Sequence, residues 1–141
     1  MNTCGTDNIA RNDQFKLIVE PVTTMQLVKY AGASDDYNRI HYDQAYAQDA
    51  GLGGVIAHGM LTMGFMGRAI TQWAGPEARV QHMSARFTSP VRPGDSVSVA
   101  CTVKSKQTEG EVIRANCEII ATVGEKAVAA GEATLEWAKV R

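Results

Sequence analysis

The polar and titratable residues that suggest catalysis lie in the middle of the chain, between positions 30 and 63. A polar loop there reads D-D-Y-N-R-I-H over residues 35–41 and carries Asp36, Asn38 and His41 close together. A carboxylate and an imidazole that share one water molecule can take a proton from it and return a proton elsewhere, which is general acid–base chemistry. The same residue types form turns and caps, and one carboxylate with one histidine is an incomplete metal ligand set. The loop therefore predicts an acid–base pair, with a turn-forming loop as the main alternative and metal binding as a weaker one.

A second candidate is His58-Gly59, at the mouth of a long apolar helical run. The first N–H groups of a helix have no partner within the helix, and they carry partial positive charge. A carbonyl oxygen placed there would be polarised, and Gly59 has no side chain to block its approach. His58 could instead be a cap and Gly59 a relief of crowding, so this pair gains significance only beside the polar loop.

Three helices are predicted to position these residues. The helical spacing of apolar residues favours helices over residues 25–33 and 42–50, one on each side of the polar loop. A glycine-rich approach then leads into the long helix over residues 55–74, which Gly75-Pro76 ends.

The rest of the chain has strand-like alternation. We expect a first strand over residues 15–22, and four more over 79–89, 96–108, 111–123 and 127–140, joined by turns. A helix that is apolar nearly all round must be covered on most of its sides. The prediction is an α+β fold, with an antiparallel sheet wrapped around a long central apolar helix. Within that helix, Gly64 and Gly67 would let strand side chains or a second helix approach closely.

Composition limits the class of protein. With 141 residues, 45% of them hydrophobic, the chain can form one domain with its own core. The formal net charge of −1 gives no attraction to nucleic acid or to an anionic membrane. Cys4, Cys101 and Cys117 are odd in number and lack C-x-x-C spacing, so we expect neither a disulfide framework nor a zinc site.

The amino terminus and the apolar run bear on localisation. Residues 1–13 are polar, without the apolar centre of a signal peptide, and we expect a loosely docked arm on a single domain over 1–141. The apolar run over 55–73 contains His58, Arg68 and Gln72, and a bilayer would penalise Arg68 by a few kcal/mol. We therefore expect a buried helix, no membrane span and a cytoplasmic protein.

A wider pattern joins the two candidate groups. It comprises Y-A at 30–31, S-D-D-Y-N-R-I-H at 34–41, I-A-H-G-M at 56–60, and Phe87 followed by P-V-x-P-G-D at 90–95. This pattern resembles the MaoC-like dehydratase family, whose motif G-D-x-N-P-x-H is followed by A-H-G-M. That family comprises R-specific enoyl-CoA hydratases and related 3-hydroxyacyl thioester dehydratases with the hotdog fold. The match covers the middle third of the chain closely, and within the family the chain is similar to the small single-hotdog dehydratase subunits of mycobacterial fatty-acid elongation.

The resemblance implies roles for individual residues. Asp36 and His41 would hold the water that adds across a trans-2-enoyl thioester, or that leaves in reverse, and the Gly59 N–H would hold the thioester carbonyl. No metal and no cofactor are implied. Asn38 would orient the loop and His58 would be structural. The positions expected to lie around the substrate are Asn38, His58 and Met60.

Two positions depart from the family motif. Asp35 stands where the family usually has glycine, and Arg39 stands where it usually has proline. Asp tolerates a positive φ better than most residues, so the turn is expected to survive. Arg39 could offset the effect of a second carboxylate beside Asp36, or it could reach toward a substrate phosphate.

Partners and competing functions follow from the same resemblance. The expected substrate is an acyl thioester of CoA or of acyl-carrier protein. Because a single curled sheet leaves open edges, we expect a homodimer or a heterodimer with a paralogous hotdog chain. The competing functions are a non-catalytic partner subunit, which would have no need of Asp36 and His41, and a hotdog acyl thioesterase.

Overall fold

The structure is a computed structural model, and it describes residues 9–138. This part of the chain contains five strands, three α-helices and a short 3-10 turn. The elements in chain order are β1 (Gln14–Ile18), α1 (Thr24–Ser34), a short 3-10 turn (Arg39–His41), α2 (Gln44–Asp49), α3 (Gly59–Ala74), β2 (Ala78–Phe87), β3 (Val97–Glu109), β4 (Val112–Val123) and β5 (Lys126–Ala138).

The strands form one antiparallel sheet in the order β1-β3-β4-β5-β2. Helix α3 contacts every strand of this sheet, so the sheet curls around it. The expected α+β arrangement is confirmed, and it is that of the hotdog fold.

Alternation along the strands explains which face becomes the core. In β3 the side chains of Val97, Val99, Cys101 and Val103 are all buried, and the residues between them are not. Because successive side chains of a strand point to opposite faces, this pattern directs one apolar face of the sheet toward α3.

Two of the three cysteines lie in that core. Cys101 and Cys117 are free and buried, and burial raises the pKa of Cys101 to about 12 and that of Cys117 to about 11. A thiol that stays protonated at neutral pH is a poor nucleophile, so these two residues serve as small apolar groups. Cys4 lies outside the described residues.

Helix α3 begins later than the apolar run suggested. We expected residues 55–74, whereas the helix starts at Gly59. Residues 55–58 are extended because their backbone groups bond to other segments: the Ile56 N–H donates to the Ile40 carbonyl over 3.1 Å, and the Ala57 N–H to Val91 over 2.7 Å.

One side of α3 is left uncovered in the single chain. Leu61, Phe65 and Ile70 are buried, whereas Met60 and Gly64 are exposed. The sulfur of Met83 lies 3.9 Å from where a Cβ at Gly67 would be, so a strand side chain does come near there. No described atom lies within 4 Å of a Cβ built at Gly64, so within one chain the expected close approach at that glycine is wrong.

The carboxyl end of α3 is held by the last strand. Trp137 of β5 donates its indole N–H to the Ala74 carbonyl over 3.1 Å, and its ring packs edge-on against Trp73 with centroids 6.4 Å apart. None of the helices between residues 9 and 138 is long and apolar enough to cross a bilayer.

The first strand is shorter than expected. It ends at Ile18 rather than near residue 22, because Pro21 has no N–H to donate to a ladder. The arm expected over residues 1–13 is described only from Ile9 onward. That residue is buried, and the Asn12 N–H donates to the Val103 carbonyl over 2.8 Å, so this part of the arm is docked on β3.

Candidate active site

The end of helix α1 sets the position of Asp36. Asp35 adopts a left-handed conformation with φ 55° and ψ 27°, and its N–H donates to the Ala31 carbonyl. The Asp36 N–H donates to the same carbonyl over 3.2 Å. The conformation is one that favours glycine, and Asp is among the residues that tolerate it. The turn of the polar loop is therefore preserved with Asp35 in the place of glycine.

Two side-chain oxygens organise the next turn. Asp36 Oδ1 accepts the Asn38 N–H over 3.2 Å, and Asn38 Oδ1 accepts the Ile40 N–H over 3.3 Å. Asn38 thereby caps the 3-10 turn that ends at His41. Its side chain is committed to the loop, as the sequence suggested.

Arg39 is committed to helix α2. Its Nη2 lies 2.7 Å from Asp43 Oδ2, and its guanidinium carbon lies 4.5 Å from the ring centroid of Tyr46. Asp43 caps α2 by accepting the Tyr46 N–H, and this bond together with the Arg39 guanidinium lowers the pKa of the Asp43 carboxyl. The arginine in the place of proline thus ties the loop to α2 through Asp43 and Tyr46.

The His41 ring is buried and held in one tautomer. Its Nδ1 lies 2.7 Å from the Ile56 carbonyl oxygen. Because a carbonyl oxygen can only accept, Nδ1 carries the proton and Nε2 keeps its lone pair in the neutral ring. Nε2 is therefore the nitrogen available for proton exchange.

Three basic residues outside the polar loop could contact a substrate phosphate, and two of them are engaged within the chain. Arg92 donates from Nη2 to the Leu52 carbonyl over 2.6 Å, which pins the glycine-rich segment against the turn before β3. Lys104 lies 2.9 Å from Glu118 on β4. Arg86 is exposed on β2.

Gly59 opens helix α3 against Phe87 of β2. A Cβ added at Gly59 would lie 3.0 Å from both Cδ2 and Cε2 of the Phe87 ring. Glycine therefore serves two purposes here, since it admits the phenyl ring and leaves the amide without a side chain in front of it.

These pieces meet at a cavity of about 430 Å³. It contains His41 from the polar loop, Gly59 from the start of α3, and the turn that follows β2. A cavity of this size with one imidazole among mostly apolar walls is typical of a small-molecule site. Its lining residues are His41, Leu52, Ile56, Ala57, Gly59, Thr62, Phe87, Thr88, Ser89, Pro90, Val91 and Val128.

The predicted site residues differ in their relation to this cavity. His41 and Gly59 line it, and an Asp36 carboxylate oxygen lies within 4.8 Å of a His41 ring nitrogen. Within the described chain, Asp36 itself is not a lining residue, and neither are Asn38, His58 and Met60. His58 is buried behind the wall, and Met60 is 56% exposed. In one chain, then, the three residues expected around the substrate do not form the cavity wall.

Thr62 and Phe87 are among the lining residues that were not predicted to belong to the site, although Phe87 was part of the family pattern. Thr62 is a buried polar residue one helical turn after Gly59, and this spacing could have indicated it. Phe87 lies far from Gly59 along the chain, and only the packing of β2 against α3 brings it to the cavity.

Another depression, of about 380 Å³, lies on the outer face of the sheet. Lys104, Asn116, Glu118 and Thr134 line it, and it contains no histidine. The cavity with His41 and Gly59 is lined by two of the predicted catalytic residues.

Asp36, His41 and His58 each offer a ligand atom within 4.8 Å of the others, which chain spacing alone did not suggest. The rings of His41 and His58 stack 3.7 Å apart at 22°. A histidine nitrogen binds a metal about 2.1 Å away in the plane of its ring, so a metal shared by His41 and His58 would have to lie in both ring planes. The two rings are nearly parallel and their centroids are 3.7 Å apart, so the planes do not meet that close to the rings. The cluster does not fit a shared metal ion.

Comparisons with known proteins agree with this geometry. Residues 10–125 match the family described as MaoC like domain. The chain is 34% identical over 128 residues to an (R)-specific enoyl-CoA hydratase of Rhodospirillum rubrum, an alignment that covers 89% of this chain and 86% of that protein. It is 30% identical over 125 residues to a 3-hydroxybutyryl-CoA dehydratase of Methylorubrum extorquens, covering 88% and 78%.

A solved structure shares both fold and sequence features. The unliganded R-hydratase PhaJ1 from Pseudomonas aeruginosa superposes with a TM-score of 0.83 at 27% identity, over 96% of this chain and 86% of that one. The family match spans most of the chain, and the relatives align over nearly its whole length. The chain therefore belongs to the MaoC-like dehydratase family of hydro-lyases, which have the hotdog fold.

Proposed function

We propose that the chain catalyses the reversible hydration of trans-2-enoyl thioesters to (R)-3-hydroxyacyl thioesters. The observation that carries this proposal is the arrangement of three groups. The His41 imidazole, with its free Nε2, and the first residue of α3, Gly59, line one cavity, and an Asp36 carboxylate oxygen lies within 4.8 Å of a His41 ring nitrogen. The related hydratase and dehydratase support the same reaction class.

Asp36 and His41 act on the water. One member of the pair takes a proton from water as its oxygen bonds to C3 of the enoyl group, and the pair returns a proton to C2 on the same face. The reverse sequence removes water from the 3-hydroxyacyl thioester. Because Nδ1 of His41 is held by the Ile56 carbonyl, the exchange at this residue takes place at Nε2.

Gly59 acts on the thioester carbonyl. As water adds at C3, the double-bond electrons move toward the carbonyl oxygen, which becomes negatively charged. An N–H at the start of a helix, aided by the helix dipole, stabilises such charge where no water competes for it. The absent side chain at Gly59 leaves room for that oxygen.

The proposal is tested with the purified chain and trans-2-enoyl substrates of several chain lengths, each as the CoA and the carrier-protein thioester. Loss of the enoyl absorbance measures hydration, and a thiol reagent added in parallel measures hydrolysis. Asp36→Asn and His41→Gln are each expected to lower kcat roughly 100- to 10,000-fold, because each removes one proton-exchanging group. Their melting temperatures should stay within a few degrees of wild type, since neither change opens the core.

Matched controls separate these effects from a general loss of charge or of an imidazole. Asp49→Asn, at the exposed end of α2, and His82→Gln, on the exposed strand β2, should keep wild-type rates. A chain inactive on every thioester, or an Asp36→Asn variant as active as wild type, would rule out the proposed chemistry. Thiol release without loss of the double bond would indicate a thioesterase instead.

We further infer that the working unit is a dimer of identical or paralogous chains. Strand β2 pairs only with β5 among the described strands, and its other edge carries Val80, which is 42% exposed. Helix α3 packs on β2, and its uncovered side carries Met60 and Gly64. Pairing two chains at this edge would cover both surfaces, and Phe87 at the end of β2 would place the cavity beside the interface.

A further inference from the structure

His58 is the centre of a column of three rings. Its imidazole, 2% exposed, stacks on His41 with centroids 3.7 Å apart and an interplanar angle of 22°. The Tyr30 ring lies on His58 as well, with centroids 4.9 Å apart and an angle of 57°. The column joins α1, the residue that precedes α3, and the 3-10 turn.

The same imidazole is bonded to the backbone of the other member of the proposed pair. His58 Nε2 lies 3.1 Å from the Asp36 carbonyl oxygen. A carbonyl oxygen can only accept, so Nε2 carries the proton and donates it. One side chain thus contacts the His41 ring through its face and the Asp36 backbone through its edge.

The other nitrogen of His58 shows that this arrangement carries a cost. Because Nε2 carries the proton, Nδ1 of His58 is an acceptor. This nitrogen is buried, and it has no hydrogen-bond partner within residues 9–138. A hydrocarbon ring would fill the same space without leaving a polar atom unsatisfied. The imidazole combines a flat face for His41 with an N–H aimed at Asp36, which a hydrocarbon ring cannot do.

We propose that His58 is a positioning residue that fixes the positions of Asp36 and His41 relative to each other. The inference rests on the proposed hydration, because it assigns His58 to the same acid–base pair. Asp36 follows the end of α1 and His41 ends the 3-10 turn, so the exposed loop between them could let the two groups drift apart. His58 links both from inside the core. It does not contact the substrate, because its imidazole is only 2% exposed and is buried behind the cavity wall.

Two substitutions separate its two contacts. His58→Phe keeps a ring to stack on His41 but removes the N–H donor to Asp36. His58→Gln keeps an amide donor but removes the ring. A displacement of about 1 Å in a reacting group can cost about 100-fold in rate, so we expect each variant to lower kcat roughly 10- to 100-fold. KM should change less than about twofold, because the wall that holds the substrate is intact.

A double variant tests whether His58 acts through the pair. In a His41→Gln background the reacting imidazole is already gone, so adding His58→Phe should lower kcat little further. Trp73→Phe is the control for core disruption. It lies fourteen residues after Gly59 on α3, about 21 Å along the helix, and should lower the melting temperature while leaving kcat unchanged.

A spectroscopic readout is independent of activity. The His41 Nδ1–H, bonded to the Ile56 carbonyl, should give a proton resonance that exchanges slowly with water in the wild type. Exchange should become faster in His58→Gln, which lacks the stacked ring, and should stay slow in His58→Phe.

The outcomes distinguish the two proposals. If wild type hydrates enoyl thioesters and both His58 variants keep kcat within about threefold, the positioning role is refuted and the function stands. An equal further loss on adding His58→Phe to His41→Gln also refutes it. If wild type is inactive on all substrates, the proposed function fails, and the positioning role is then decided by the Nδ1–H resonance: unchanged exchange in His58→Gln overturns it.

Discussion

At Asp35, a single backbone conformation decides how the polar loop begins. A left-handed backbone conformation costs most L-residues roughly 1–2 kcal/mol. The cost is smaller for Asp and Asn, because their short polar side chains can form local hydrogen bonds. With φ at 55°, Asp35 occupies a position typical of glycine and directs the chain so that Asp36 follows at the loop entrance. The two departures from the family motif therefore have structural explanations, Asp35 through its φ and Arg39 through Asp43 and Tyr46.

The conformation of Asp35 leads to a test on stability. Asp35→Gly should leave the free energy of unfolding within about 0.5 kcal/mol of wild type, because relief of strain is offset by added freedom in the unfolded chain. Asp35→Val should lower it by roughly 1–2 kcal/mol, since a β-branched residue is strongly disfavoured at positive φ. Urea denaturation measures both. Equal stability of the two variants would contradict a left-handed Asp35.

At the scale of elements, the pairing of β2 with β5 carries Phe87 to the cavity. Strand β5 has Gly131 opposite Ala85, and a Cβ built at Gly131 would overlap the Ser84 backbone carbonyl oxygen. This close approach of two backbones requires glycine. The path of β2, and so the position of Phe87 against Gly59, depends on it.

Gly131→Ala should therefore destabilise the fold strongly. The clash is with backbone, which cannot rotate away, so we expect a loss of about 3 kcal/mol or more in the free energy of unfolding. Gly32→Ala is the matched control. Gly32 lies in α1 with no described atom within 4 Å of its would-be Cβ, and alanine there should stabilise by about 0.5–1 kcal/mol. Chemical denaturation of both proteins decides the matter, and a mild effect of Gly131→Ala would be inconsistent with the close approach.

Across the whole molecule, the single chain leaves an outer edge of strand β2 and one side of α3 uncovered within the described residues. An unpaired strand edge is a site for association, and here it belongs to the strand that ends at the cavity. Helix α3 presents Gly64 on its uncovered side, where a partner chain could come close. Met60, one of the residues expected to lie around the substrate, is exposed in one chain and would lie near the partner in the inferred dimer.

The dimer is tested by mass in solution at micromolar concentration. Wild type should have twice the mass of one chain, and Val80→Lys should shift the population toward monomer, because a charge on a strand edge opposes edge pairing. Val28→Lys provides the matched control, since Val28 is an exposed apolar residue on α1, away from this edge, and the mass should not change. A wild-type chain that is monomeric under these conditions would disprove the inferred assembly.

Local patterns in the sequence were enough to predict the elements and the chemistry of the loop. Helices α1 and α2 and the strands of the meander lie within a few residues of their predicted bounds, because periodicity, caps and turn residues act over short distances. Boundaries were wrong where distant groups bond to the backbone, as at residues 55–58, which pair with Ile40 and Val91 instead of starting α3. The family motif indicated Asp36, His41 and Gly59, whose catalytic roles stay a prediction.

The order of residues along the chain was thus enough to predict which side chains could exchange protons and that a sheet would wrap an apolar helix. It could not predict that His58 stacks on His41 while bonding to the Asp36 carbonyl, or that Phe87 lies against Gly59. These contacts join residues that are far apart in the chain. A local pattern records the preference of a segment for helix, strand or turn, whereas contacts between segments depend on how the sheet curls and how closely two backbones approach.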